Sequence, residues 1–167
     1  MTQFWKNAVK GMVILGLVVA FFLTQTRLAF NRTKSLPYKA FICFKGLPPQ
    51  RGDFVSLQDH PTKYFEGIHY IKRLSGFPGD KIERQGNQLF LEIKEGSSHL
   101  VGPLQPTTQE EKPLHPLPST IIPKGYVFVS AEHLRSFDSR YQEFGLVKKE
   151  HIEGTCFGLF KVQEAGS

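Results

Sequence analysis

Tyr70-Ile-Lys-Arg-Leu-Ser-Gly-Phe-Pro-Gly-Asp-Lys-Ile82 is the stretch on which the reading of this chain turns. An apolar-rich run ends in a tight Gly-Phe-Pro-Gly-Asp segment, the pattern of a strand and its exit turn. Period-two alternation puts Ile68, Tyr70, Lys72 and Leu74 on one face and His69, Ile71, Arg73 and Ser75 on the other. Lys72 therefore points to the apolar side. A lysine buried there avoids an unpaired charge by lowering its pKa from about 10.4 toward neutrality, and a neutral amine can act as a general base. Taken singly, a surface lysine on a twisted edge strand is the commoner arrangement, so a nucleophile for it to activate must be sought elsewhere.

Outward from this strand, short β-type runs recur at 40–45, 53–57, 80–84, 88–93, 126–130 and 155–162, and the run at its own position covers 67–75. Turn signals separate them, among them Gly46-Leu-Pro-Pro-Gln-Arg-Gly52. The fold class is mainly β. Between 95 and 120 the composition shifts to Gly, Ser, Thr and Pro, with prolines at 103, 106, 113, 116 and 118, which predicts a mobile surface insertion without ladder or helix.

Toward the N-terminus, residues 11–23 run without a polar side chain, and extension through Lys10 back to Phe4 gives about 20 residues, enough to cross a bilayer. Val18-Val19-Ala20 resembles a small-residue cleavage site, but Phe21 and Phe22 carry the apolar run past it and favour an uncleaved anchor. Residues 1–27 thus read as a membrane anchor and 28–167 as one globular domain. The formal charge of +6 is spread along the chain with no basic run, which argues against nucleic acid and for anionic lipid headgroups. Lys6 and Lys10 on one side of the apolar run face Arg27, Arg32 and Lys34 on the other, so charge alone does not orient it.

The nucleophile candidate is Ser35, in Asn31-Arg-Thr-Lys-Ser-Leu-Pro37, where Pro37 fixes its own φ and holds Leu36 extended. A third segment, Ser130-Ala-Glu-His-Leu-Arg-Ser-Phe-Asp-Ser-Arg-Tyr141, sets Ser136, Asp138 and Arg140 at alternate positions behind an apolar strand. With Arg51-Gly-Asp-Phe-Val55, these boxes resemble, in order, those of the type I signal peptidase family of serine proteases (peptidase S26). Asn31-x-Thr33-x-Ser35-x-Pro37 and Arg135-Ser-Phe-Asp-Ser-Arg-Tyr141 look most like its conjugative-transfer (TraF-like) group, while Ala131-Glu132-His133 departs from the Gly-Asp-Asn of housekeeping members.

That resemblance implies a signal-peptidase-type β catalytic domain, a fold shared with self-cleaving repressors, placed on the periplasmic side of a bacterial inner membrane by a single-pass helix. It implies a serine endopeptidase with a Ser35/Lys72 dyad, Thr33 beside the oxyanion, Ser136 orienting Lys72, and Asp138 and Arg140 in catalytic or structural support. No metal or organic cofactor is expected. The partners it implies are the lipid bilayer and a precursor protein bearing a signal peptide, here a conjugative pilin, with no nucleic acid. Two alternatives stand beside it: a self-cleaving repressor relative, which normally lacks a membrane anchor, and a non-catalytic membrane-anchored pilus-assembly or binding module.

The remaining features read more plainly. Arg51-Gly52-Asp53 spells an adhesion tripeptide but sits where a turn should enter a strand. His60, His69, His99, His115, His133 and His151 lack metal-ligand spacing and are expected at the surface. Cys43 and Cys156 fall in the first and last of these β runs and could form either a disulfide or two buried thiols.

Overall fold

A 24-residue helix, α1 (Thr2–Gln25), opens the chain, and the computed structural model describes residues 2–31, 35–65, 67–94 and 96–162. The span Gln3–Gln25 is long and apolar enough to cross a membrane and is not buried against the rest of the chain. Its apolar residues, Phe4, Leu15 and Phe22 among them, stay exposed.

The helix passes directly into β1 (Thr26–Phe30), followed by β2 (Tyr38–Lys45), β3 (Phe54–Leu57) and β4 (Tyr70–Gly76). Next come β5 (Lys81–Gln85), β6 (Gln88–Glu92), β7 (Ser98–Pro103), β8 (Thr120–Ile121), β9 (Tyr126–Ser130), β10 (Val147–Lys148) and β11 (Ile152–Lys161). Two antiparallel sheets result. The larger runs β1-β2-β11-β3-β4-β9-β10, and the smaller runs β7-β6-β5-β8. In β4 Lys72 and Leu74 are buried while Ile71, Arg73 and Ser75 are half-buried, which is the alternation the sequence predicts. Gly76 stands where a Cβ would come within 2.7 Å of the Ile122 side chain and 2.9 Å of Phe128, so only glycine lets β4 close onto the second sheet.

At the exit turn, Asp80 accepts hydrogen bonds from the Phe77 and Lys94 amides at 2.7 and 3.1 Å and pairs with Arg51 at 2.8 Å. Burial alone would push its carboxyl up, but these donors outweigh burial and hold it below the usual carboxylate range. Arg51 also caps the Ser75 carbonyl and lies over the Phe77 ring, so the adhesion-like tripeptide is an internal turn. Cys43 and Cys156 are register partners on β2 and β11 and are joined by a disulfide.

Two expectations are corrected. The 95–120 stretch is not a loose insertion: it contributes β7 and β8, and Leu104 and Leu114 enter the core beside Ile82, Leu89 and Phe128. Its prolines break ladders, yet the leucines between them supply anchors, and carbonyls such as Pro103 and Pro116 accept bonds from Arg140 and Gln142. His60 is not at the surface. It is buried against Phe144, with ring centroids 4.7 Å apart.

Candidate active site

β4 occupies the middle of the larger sheet, between β3 and β9, which places Lys72 opposite Val55 and away from any edge. Only 5% of the residue is exposed. Its Nζ sits 5.9 Å from both the Tyr70 and Phe144 rings and makes no ion pair or hydrogen bond among the described residues. Burial therefore dominates and pushes its pKa down to about 8; nearby Asp138 opposes the fall and Arg140 adds to it. Within physiological reach of neutrality, this amine can accept a proton.

Lys72 opens onto a cleft of about 380 Å³ whose walls include Ser35, Leu36, Phe41, Tyr70, Ser136 and Phe137. The serine loop is held from both sides. Asn31 donates from Nδ2 to the Leu36 and Tyr38 carbonyls at 3.1 Å, its own amide bonds the Lys39 carbonyl, and the His133 amide donates to the Ser35 carbonyl at 3.3 Å. Leu36 is buried with Phe41, Phe54, Ala131 and the disulfide, so the residue after Ser35 anchors the loop hydrophobically. Thr33 lies outside the described residues.

Ser136 is 3% exposed, and its Oγ is one of the buried polar atoms without a hydrogen-bond partner among the described residues. The expected Ser136–Lys72 hydrogen bond is thus not made here, although both side chains face the same cleft. Asp138 and Arg140 do come together. Arg140 donates from Nε to Asp138 Oδ1 and from Nη2 to Oδ2, both at 2.8 Å, and the Ala131 and Arg140 amides complete the carboxylate's bonds. The remaining guanidinium hydrogens reach the carbonyls of Pro103, His133, Leu134 and Ser136. Burial would lower the Arg140 pKa, but Asp138 outweighs burial and raises it. This pair ties the turn bearing Ser136 to the sheet, and its carboxylate is fully occupied.

Three participants escaped the sequence reading. Asn31 appeared only as the first letter of a sequon and a motif. Phe144 carried no signal beyond an apolar residue in a polar stretch, and His60 looked like any loop histidine. On the far rim of the cleft, Thr108, Gln109 and Glu110 come from the Pro-rich stretch, held there by Arg135 donating to the Thr108 carbonyl at 3.0 Å. Among the described residues no cluster of His, Cys, Asp and Glu could hold a metal ion.

The model of the family described as signal peptidase, peptidase S26, matches residues 2–160. The chain belongs to that family. Among S26 relatives it is similar to signal peptidase I of Bacillus amyloliquefaciens, 31% identical over 117 residues, covering 66% of this chain and 56% of that protein. It is also similar to signal peptidase I T of Bacillus subtilis, 29% identical over 120 residues, covering 66% of this chain and 56% of that protein. Signal peptidase I P of Bacillus subtilis subsp. natto is 28% identical over 168 residues, covering 90% and 84%. The chain thus spans little more than half the length of the first of these S26 relatives. A crystal structure of signal peptidase I from Enterococcus faecalis aligns with a TM-score of 0.39 at 24% identity, over 65% of this chain and 96% of that one.

Proposed function

We propose that this S26 protein is a membrane-anchored serine endopeptidase that removes the leader from exported precursors, using Ser35 as nucleophile and Lys72 as general base. The observation that carries the proposal is a buried, unpaired lysine opening onto the same cleft as a serine on a restrained loop. Neutral Lys72 takes the proton from Ser35 Oγ as the oxygen adds to the scissile carbonyl. Collapse of the tetrahedral intermediate expels the amine, which receives that proton, and leaves an acyl-enzyme. Lys72 then deprotonates a water that adds to the ester, and Ser35 Oγ leaves reprotonated. The Ser35 amide and the Thr33 hydroxyl would hold the oxyanion, each worth roughly 10²-fold in rate. Ser136 would meet Lys72 through its free Oγ once substrate closes the cleft, and Asp138 with Arg140 supports that turn.

Membrane anchoring through residues 1–27 and a periplasmic domain, 28–167, fit the geometry. β1 carries the chain from the end of α1 straight to the cleft wall at Ala29, Phe30 and Asn31. Leu28 and Phe30 on β1 and Phe157 and Phe160 on β11, the strands either side of β2, are exposed, and the disulfide suits an oxidising compartment. The TraF-like motifs favour a conjugative pilin as substrate. Intact-mass spectrometry of small membrane proteins from cells carrying the native genetic element, wild type against Ser35→Ala, tests this. A precursor heavier by a leader peptide should accumulate in the variant; unchanged masses would sink the proposal in favour of a non-catalytic module.

A further inference from the structure

Behind the Lys72 pocket lies a layer that the proposed chemistry does not use. Phe144, itself 2% exposed, lies behind the cleft lining with its ring 5.9 Å from Lys72 Nζ and packs edge-on to Tyr70 and Phe137 at 5.4 and 5.3 Å. Its far side is covered by His60, whose Nε2 lies 2.9 Å from the Phe144 carbonyl oxygen. A carbonyl only accepts, so Nε2 carries the proton. His60 Nδ1 is buried with no partner among the described residues, and burial pushes the ring's pKa down, favouring the neutral form.

Among the described residues, the neighbouring polar groups are engaged elsewhere, Thr62 with the Phe65 carbonyl among them. Gln58 is bound to His151 through two hydrogen bonds, and the His151 ring stands 5.8 Å from His60. Glu143 is engaged by His115, and its carbonyl by the Lys63 amide. The charged and titratable groups around the pocket are His69 just before β4 and Tyr70 at its start, Glu110 and Arg135 on the cleft lining, Asp138 and Arg140 on the turn after β9, Glu143 with His115, and His151.

We propose that His60 is a positioning residue, resting on the reading of Lys72 as the base: by stacking on Phe144 and donating to its carbonyl, it holds that ring against Lys72 Nζ and keeps water off the amine. Without it, the 141–145 turn loses its only side-chain hydrogen bond to the Phe144 backbone among the described residues, the ring moves, and the lysine hydrates. A hydrated lysine holds its proton more tightly.

The test uses the full-length protein in detergent and reads kcat/KM for a leader-peptide substrate between pH 6 and 10.5 for wild type, His60→Ala and His60→Gln. In His60→Ala the acid limb should move up by about one unit, giving about tenfold lower activity at pH 7 and no loss near pH 10, because each unit changes the neutral fraction tenfold. His60→Gln, whose amide can donate to the same carbonyl, should stay near wild type. An equal loss at every pH with an unmoved limb, or no change in either variant, would overturn the proposal. In parallel, the pH dependence of Lys72 acylation by acetic anhydride, read by peptide mass, reports the amine's titration without any activity. The same upward shift should appear there in His60→Ala, and its absence would refute the role of His60. A wild-type enzyme with no Ser35-dependent cleavage would instead count against the peptidase reading.

Discussion

Lys72 and Arg140 are both buried cations within one β domain, and they are treated in opposite ways. Arg140 is 1% exposed and saturated, with a bidentate carboxylate and four carbonyls. Lys72 is almost as deeply buried, lies 5.9 Å from two aromatic rings and makes no ion pair or hydrogen bond among the described residues. One site supplies every partner a charge requires and the other withholds them, so one raises its group's pKa and the other lowers it to about 8. The paired cation fastens the turn that frames the cleft. The unpaired one is destabilising, which the proposed role as a neutral general base would account for.

The sharpest break of this contrast is Asp138→Ala, which leaves Arg140 buried and uncompensated. Thermal or denaturant unfolding in detergent should show a loss of about 3–5 kcal/mol. A loss below about 1 kcal/mol would mean that the carbonyls alone satisfy the guanidinium.

Lys72→Met should act in the opposite direction. Lys72 falls from 10.5 in the unfolded chain to about 8 in the fold, so protonation favours the unfolded state. That penalty is complete below pH 8, fades as pH rises from 8 to 10.5, and is gone above it; it amounts to about 3 kcal/mol at pH 7. The Met variant should therefore be more stable than wild type at pH 7, lose that part of its advantage above pH 10.5, and have no peptidase activity. Equal stability at pH 7 would contradict the unpaired state of the lysine.

Reducing the Cys43–Cys156 bridge, whose cysteines are 113 residues apart, should cost about 2–4 kcal/mol in the same unfolding assay and loosen the Leu36 anchor of the serine loop. The smallest effect on stability belongs to Ser136→Ala. Its Oγ is buried without a partner among the described residues, so removing it should change stability by no more than about 0.5 kcal/mol while lowering kcat roughly tenfold. A large destabilisation would show that the hydroxyl is already engaged in the free protein.

Much of this contrast was legible in the residues. Alternation around Lys72 gave its face, because a strand's side chains have a fixed period, and the same rule located most strands of the larger sheet. The spacing of Ser136, Asp138 and Arg140 flagged a special turn. What stayed hidden depends on tertiary contact. Nothing local marks Phe144 as a neighbour of Lys72, or His60 as the partner of its carbonyl, since the loop between β3 and β4 and the 141–145 turn meet only in three dimensions. The stretch after Lys94 misled because its prolines dominate the local signal, whereas Leu104 and Leu114 decide its burial by packing.

The pH dependence of kcat/KM for cleavage of a leader-bearing peptide by the detergent-solubilised protein tests the central claim most directly. If a neutral, unpaired Lys72 is the base, activity rises tenfold per pH unit below about 8 and levels off above it. A flat profile from pH 6 to 9, or a limb near 6.5 as for a histidine base, would contradict it.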